Sequence, residues 1–170
     1  AEPHPGVAYV AADLTDHGQV LELVSGVDER VHGPVDAIVH LAAIPAPGLV
    51  PDVATYRNNT SITYSVFSAA RRAGVRRVVW ASSETLLGLP FAQTPPPYFP
   101  VDEEYPVQPN SAYSLSKAAD EEIARHFARW EPESAFIGLR YSNVMDVADY
   151  AAFPGFEDDP HLRSWNAWGY

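Results

Sequence analysis

Two residues four positions apart carry the first chemical signal in this 170-residue chain. Tyr113 is followed four positions later by Lys117, the only lysine in the sequence. Residues spaced by four share one face of a helix, so the ammonium can lie beside the phenol. A neighbouring cation favours phenolate and lowers the tyrosine pKa from about 10 toward neutrality. The pair could therefore exchange a proton with a substrate.

The pair must be positioned by a helix, which the apolar periodicity predicts over residues 111–130. The apolar stripe expected to face the core consists of Leu115, Ala119, Ile123, Phe127 and Trp130. Tyr113 and Lys117 lie off this stripe, so the core does not require them. The alternative to a catalytic role is a solvated helix face.

Short β-rich runs alternate with helical patterns along the rest of the chain, which is typical of βαβ units and a parallel sheet. Strands are predicted at residues 7–11, 35–41, 75–81 and 136–139, and the second is apolar enough to be buried on both faces. One helix follows a cap at Thr15 or Asp16, and another is predicted over 53–73 and ends at Gly74. The predicted fold class is α/β, a doubly wound parallel sheet.

Composition limits the possible partners. The formal charge of −11 repels nucleic acid phosphates and anionic membranes, so neither partner is expected. The chain has no cysteine and its six histidines show no ligand spacing, which predicts no metal site. It shows neither a signal segment nor a membrane span, and we expect a soluble, cytoplasmic protein.

Two segments are predicted to lack regular structure. Residues 89–109 are rich in proline and form an irregular loop, whose Asp102, Glu103 and Glu104 are expected on a solvated surface. The tail 151–170 has no clear periodicity, and its Trp165 and Trp168 could line a pocket or simply pack. Residues 1–150 therefore form one α/β unit, and residues 151–170 begin a further lobe or a tail.

Several short motifs occur in a fixed order. They are Asp13-Leu14-Thr15-Asp16, His40-Leu41-Ala42-Ala43, Asn59 and Thr63 in a helix, Ser82-Ser83-Glu84-Thr85-Leu86-Leu87-Gly88, Tyr113 with Lys117, and Leu139-Arg140-Tyr141-Ser142-Asn143-Val144. The serine motif ends a strand, and ligands collect at the carboxyl ends of parallel strands. In this order the motifs resemble the extended short-chain dehydrogenase/reductase family, specifically its NAD-dependent epimerase/dehydratase branch. Each motif is common, but the ordered set is specific.

The resemblance implies a role for each matching residue. Ser83, Tyr113 and Lys117 would be catalytic, and Ser83, Glu84 and Asn143 would contact the substrate. The cofactor would be bound by Asp13 and Leu14 at adenine, by the small-residue turn Leu41-Ala42-Ala43, and by Asn59, Lys117 and Tyr141. The implied cofactor is NAD, and NADP is not excluded. Competing structural roles remain for several of them: a helix cap for Asp13, strand-end packing for residues 41–43 and a turn for Asn143.

The resemblance also implies a reaction, in which hydride passes between C4 of a nicotinamide and a carbon that bears a hydroxyl group. Tyr113 would take the hydroxyl proton while Ser83 steadies the oxygen, giving a keto intermediate. The expected function is a sugar-nucleotide epimerase. The alternatives are a dehydrogenase of a free sugar or uronic acid, and a non-catalytic nucleotide-binding or regulatory protein on the same scaffold. Thr85 stands where dehydratases carry a carboxylate, which disfavours dehydration.

Two departures from the family pattern indicate a partial chain. No Gly-x-x-Gly-x-x-Gly turn precedes Asp13, and the chain ends at Tyr170, before most of a substrate lobe. In the family's strand order, two strands should lie between residues 7–11 and 35–41, and their absence would leave a gap of about 14 Å. We therefore expect residues 1–150 to be a partial dinucleotide-binding domain that lacks the first βαβ unit, and residues 151–170 to begin the substrate lobe or a tail. By analogy with the family, the protein is expected to form a homodimer.

Overall fold

A computed structural model describes residues 4–26, 33, 35–89, 91 and 94–150 of the chain. Its helices are α1 (His17–Ser25), α2 (Asp52–Ala73), α3 (Ala112–Trp130) and the short α4 (Val147–Tyr150). Its strands are β1 (Ile38–His40), β2 (Arg77–Ser83) and β3 (Ala135–Tyr141), and a 3-10 helix spans Glu84–Leu87. The tail 151–170, with Trp165 and Trp168, lies outside the described residues.

The three strands form one parallel sheet in the order β1-β2-β3. The register places Ile38 beside Val78 and places Val78 beside Phe136. Side chains therefore alternate between one face that packs against α2 and α3 and an opposite face that is open. The open face carries exposed apolar side chains at Val39 and Ile137. The prediction of a parallel α/β sheet is confirmed.

The core lies between the sheet and the helices α2 and α3. Phe67 of α2 is its centre, with edge-on ring contacts to Trp80 of β2, Phe127 of α3 and Phe136 of β3. Gly138 permits close packing here, because a Cβ at this position would lie 2.8 Å from the Trp80 ring. Helix α1 adds Val20 and Val24 to the same core. One aromatic cluster thus fixes the distance from α2 and α3 to the sheet.

Local signals explain the helix ends. The Asp16 carboxylate caps α1 by accepting hydrogen bonds from the amides of Gly18 and Gln19. Ser111 caps α3 through a reciprocal bond with Ser114. Gly74 ends α2 in the left-handed conformation, as predicted.

Two strand predictions need correction. Residues 7–11 form no strand, because among the described residues no strand lies beside them to pair with their backbone. The predicted strand 35–41 pairs only over Ile38–His40, and Val39 is exposed rather than buried. The carboxyl-terminal prediction at 136–139 is confirmed within the longer β3.

The predicted apolar stripe of α3 is confirmed only in part, because Phe127 is buried in the core and Ile123 packs against it, but other members are exposed. Leu115 and Trp130 are about half exposed, whereas Tyr113 and Lys117 are buried. The buried face of α3 is instead largely polar, and includes Ser114, Ser116 and Asp120. This face packs against α2, where buried Asn59 and Thr63 supply polar contacts that hydropathy alone does not reveal. The solvated-face alternative for Tyr113 and Lys117 is therefore excluded.

We expect Phe67→Ala to lower the free energy of unfolding by about 3–5 kcal/mol, because the cavity it leaves is surrounded by three aromatic rings. Urea denaturation of the variant measures this loss. Tyr56→Ala on the same helix is the matched control, since Tyr56 is partly exposed and its loss should change stability by no more than about 0.5 kcal/mol. Equal effects of both substitutions would contradict the assignment of Phe67 to the core.

Candidate active site

The carboxyl end of β2 and the first two turns of α3 meet at one place, and three predicted catalytic side chains converge there. Lys117 is buried and its Nζ donates a 2.8 Å hydrogen bond to the carbonyl oxygen of Ala81 in β2. The same Nζ lies 5.8 Å from the centre of the Tyr113 ring. Ser83, two residues after Ala81, is buried as well. The strand end and the helix thus form one compact polar cluster.

Tyr113 has a higher pKa than an ordinary tyrosine. Burial raises the pKa, and a hydrogen bond with Ser83 partly offsets that effect. The charge of Asp120 raises the pKa further. The expected lowering of the Tyr113 pKa by Lys117 is therefore not observed, because desolvation of the phenolate dominates in the described structure. The Tyr113–Ser83 interaction brings together the two hydroxyl groups that the sequence paired.

Ser83 is oriented by the 3-10 helix that follows it. Its hydroxyl accepts a hydrogen bond from the Thr85 amide at 3.2 Å and lies 2.9 Å from the Thr85 hydroxyl. Tyr141 of β3 is the residue paired with Ser83 across the ladder. Ser83 and Tyr141 therefore lie side by side at the carboxyl end of the sheet.

Asn59 connects α2 both to α3 and to the loop after β1. Its side-chain amide donates to the Ile44 carbonyl and to the Ser116 hydroxyl, and its oxygen accepts from the Ile44 amide. These bonds fix the loop that contains Ala42 and Ala43, at the carboxyl end of β1. Leu41 and Ala42 are exposed there, which leaves the backbone of this turn approachable.

The remaining predicted residues lie at the edges of this cluster or away from it. Asp13 is exposed before α1, where its carboxylate accepts hydrogen bonds from the Thr15 amide and hydroxyl. Leu14 is half-buried and packs against the main core. Asn143 is exposed beyond the end of β3. Among the described residues, no hydrogen bond or ion pair joins these three to Tyr113 or Ser83, so their roles in binding stay predictions.

A groove of about 850 Å³ lies beside the cluster rather than on it. It runs between β3, α3 and the loop after the 3-10 helix, and Glu84 and Tyr141 are the predicted site residues that line it. Burial raises the pKa of Glu84 to about 7. Tyr113, Ser83 and Lys117 do not line this groove, so it is not the catalytic pocket itself.

An ion pair fixes the wall shared by the groove and the strand ends. Arg140 of β3 donates two hydrogen bonds of 2.9 Å to the Glu121 carboxylate of α3, and Ser82 of β2 donates a third at 2.8 Å. Burial would raise the pKa of Glu121, but these bonds and the Arg140 charge outweigh it and lower the pKa. Both strands are therefore tied to the helix that bears Tyr113.

Four residues near the site escaped the sequence prediction. Ser116 and Thr85 could have been found, since each carries a hydroxyl and is adjacent to a predicted residue, Lys117 and Glu84 respectively. His40 belongs to a recognised motif, but its burial, which with the charge of Lys117 lowers its pKa to about 4, is a property of the fold. Asp120 gave no signal, because an aspartate three positions after a lysine is ordinary on a helix surface.

Comparison with known proteins assigns the family. Residues 2–154 match the model of the NAD dependent epimerase/dehydratase family. The chain belongs to this family. The resemblance inferred from the ordered motifs is confirmed, and so is the Rossmann-like α/β fold. Among the described residues, no helix is long and apolar enough to cross a membrane, and no cluster of potential metal ligands occurs.

Three relatives illustrate the range of the family. The chain is 30% identical to UDP-glucose 4-epimerase 2 of Oryza sativa over 82% of its own length and 32% of that protein. It is 31% identical to the uronate dehydrogenase of Pseudomonas putida over 93% of its length and 54% of that protein. A short-chain dehydrogenase/reductase superfamily protein of Agrobacterium tumefaciens, solved with bound NAD, is 30% identical with a TM-score of 0.67, over 84% of this chain and 39% of that one. The chain thus spans about a third to a half of these relatives.

We expect Asn59→Ala to cost about 1–3 kcal/mol of stability, since it leaves the Ile44 amide and carbonyl without their partner. Hydrogen exchange at the Ile44 amide should accelerate. Asn58→Ala is the control, because the neighbouring Asn58 side chain bonds only weakly, at 3.4 Å, to Asn59. Unchanged exchange at Ile44 in Asn59→Ala would show that the loop is held by other contacts.

Glu84 should make stability depend on pH. Its folded-state pKa is raised from 4.5 to about 7, so its contribution is complete below pH 4.5 and is lost as the pH rises through about 7. Glu84→Gln removes this titration. The difference in free energy of unfolding, parent minus variant, should decrease as the pH rises from 4.5 to about 7. Because Glu84 is partly exposed, solvent screening makes this decrease smaller than the pKa shift alone would give. A constant difference across the range would reject the raised pKa.

Proposed function

We propose that the protein is an NAD-dependent sugar-nucleotide epimerase that works through a keto intermediate, with Tyr113 as the acid-base residue. The observation that carries this proposal is the convergence of Tyr113, Lys117 and Ser83 at the carboxyl end of β2. Parallel α/β sheets bind ligands at this edge. Relatives named as UDP-glucose 4-epimerases support a nucleotide sugar as substrate.

The residues at this edge fit a dinucleotide. Leu41 and Ala42 are exposed in the turn at the end of β1, and Asn59 fixes this turn through hydrogen bonds to the Ile44 backbone. The Lys117 ammonium has three N–H groups and gives one of them to Ala81, so further donors are available to a ribose hydroxyl. When bound, NAD supplies an acceptor and donor of hydride. Leu41, Ala42, Ala43, Asn59, Lys117 and Tyr141 would hold it here, and Asp13 with Leu14 would contact adenine.

The chain's own residues handle the proton. Tyr113 as phenolate accepts the proton of a substrate hydroxyl, and in the reverse direction it returns a proton to the keto oxygen. Ser83 steadies that oxygen by hydrogen bonding, and its own orientation is set by Thr85. Lys117 supplies positive charge beside the phenolate. Glu84 and Asn143 would contact the sugar, and the raised pKa of Glu84 suits a group that shares a proton with a hydroxyl.

A dehydrogenase of uronic acids or free sugars is the second candidate. The match to uronate dehydrogenase favours it, since that alignment takes in 93% of this chain and a larger share of the relative than the epimerase alignment does. The two functions differ in what happens to the keto product. An epimerase retains and reduces it, whereas a dehydrogenase releases it and accumulates reduced cofactor.

A substrate panel tests both candidates. The purified protein is incubated with NAD or NADP and either UDP-sugars or free uronic acids, and both the reduced nicotinamide and the sugar configuration are followed. Interconversion of UDP-sugars without net reduction supports the epimerase. Stoichiometric reduction supports the dehydrogenase. Nucleotide binding without turnover of any substrate would instead support a non-catalytic protein.

We expect Tyr113→Phe to lower kcat by about 100-fold to 10,000-fold, since it removes the group that transfers the proton. NAD affinity, measured by calorimetry, should change little. Tyr56→Phe is the control, because this tyrosine lies on α2 and is partly exposed. Full activity in Tyr113→Phe would reject the mechanism.

A further inference from the structure

An unexplained carboxyl group lies behind the Tyr113–Lys117 pair. Asp120 is on the buried face of α3, three residues after Lys117, and its side chain is completely buried. Neither of its carboxylate oxygens has a hydrogen-bond partner of good geometry among the described residues. A buried acid without such partners is costly, and strongly perturbed acids of this kind cluster at functional sites.

The groups around Asp120 and Lys117 come from three elements. Its own helix contributes Lys117 and Tyr113, both of which respond to its charge. Helix α2 contributes the Thr63 hydroxyl, which favours the charged form, and the buried side chains of this helix are otherwise uncharged. Strand β1 contributes His40, which is buried, neutral and next to Lys117. Lys117 is therefore the cation that Asp120 opposes.

The coupling runs in both directions. Burial raises the pKa of Asp120 to about 7, and Lys117 and Thr63 offset this rise in part. The Asp120 charge in turn raises the pKa of Lys117, whose burial otherwise lowers it, and raises the pKa of Tyr113. An ionised Asp120 thus keeps a proton on both partners, whereas a protonated Asp120 leaves the Lys117 charge unopposed beside Tyr113.

We propose that Asp120 is a positioning residue for the pair: its buried carboxyl exchanges a proton with solvent and thereby sets the charge that Lys117 and Tyr113 experience. The relevance to catalysis rests on the proposed function of that pair. A reaction that uses Tyr113 first as base and then as acid needs both the phenolate and the phenol to form at the working pH. Asp120 extends the acid state to higher pH, because its negative charge forms as the pH rises.

Asp120→Asn tests this role, since it removes the charge while preserving the shape. The intact protein is labelled with ¹³C in its tyrosine rings and aspartate carboxyl groups and titrated by NMR without NAD or sugar. The Tyr113 signal is identified by its loss in Tyr113→Phe, and the Asp120 carboxyl signal by its through-bond connection to the assigned backbone. Glu122→Gln is the matched control, because it removes an exposed carboxylate from the same helix.

We expect the Asp120 carboxyl to titrate near pH 7 in the parent protein. In Asp120→Asn the Tyr113 midpoint should move down by about one pH unit, against little change in Glu122→Gln. An Asp120 that is already ionised at pH 5, or a Tyr113 midpoint that is equal in the parent and Asp120→Asn, overturns the proposal. If Asp120→Asn does not fold, Thr63→Val replaces it. Because the Thr63 hydroxyl lowers the pKa of Asp120, its removal should shift the Asp120 titration to higher pH. An Asp120 titration that does not shift in Thr63→Val overturns the proposal.

These titrations need no turnover, so they separate this inference from the proposed function. A Tyr113 midpoint that moves in a protein inactive on every sugar would retain the coupling and reject the epimerase. In an active protein, the pH profile of kcat/KM should shift in Asp120→Asn in the same direction as the Tyr113 midpoint. A merely structural role would lower activity without moving that profile.

Discussion

The position of the candidate site depends on one hydrogen bond, from the buried Lys117 ammonium to the Ala81 carbonyl. A buried cation must be paired with an acceptor, and the carbonyl groups of the last residues of a strand can serve as that acceptor. The bond holds α3 against the carboxyl end of β2, and so it brings Tyr113, one turn earlier, to Ser83, two residues later. The same hydrogen bond therefore determines both how α3 packs on the sheet and where the candidate catalytic side chains lie.

The aromatic core and the polar cluster divide the α2–α3 interface between them. Phe67 and Phe127 pack at the amino-terminal half of the sheet, whereas Asn59 and Ser116 meet near its carboxyl edge. The apolar half supplies the stability that a polar interface lacks, and the polar half supplies directed contacts. Such a division allows a fold to keep buried hydroxyl, amide and charged groups at the place where substrates bind.

Local signals in the sequence predicted much of this structure, but not its buried surfaces. Gly74 gave the end of α2, the cap at Thr15 or Asp16 gave the start of α1, and the four-residue spacing correctly placed Lys117 beside Tyr113. Hydropathy failed on α3, because Leu115 is exposed while Ser116 and Asp120 are buried. It failed again at residues 7–11, since a strand forms only where a neighbour accepts its hydrogen bonds. Both failures concern partners distant in sequence, which a local pattern does not contain.

The Arg140–Glu121 pair has a further consequence for behaviour in salt. Ion pairs on the surface, such as Arg76 with Glu133, are weakened by mobile ions within a Debye length of about 8 Å at physiological ionic strength. Arg140 and Glu121 are largely shielded from solvent and bonded in a bidentate fashion, so dissolved ions screen them far less. The chain's charge of −11 makes its surface sensitive to electrolyte. The Arg140–Glu121 pair should therefore hold β3 against α3 at salt concentrations that already screen the ion pairs on the surface.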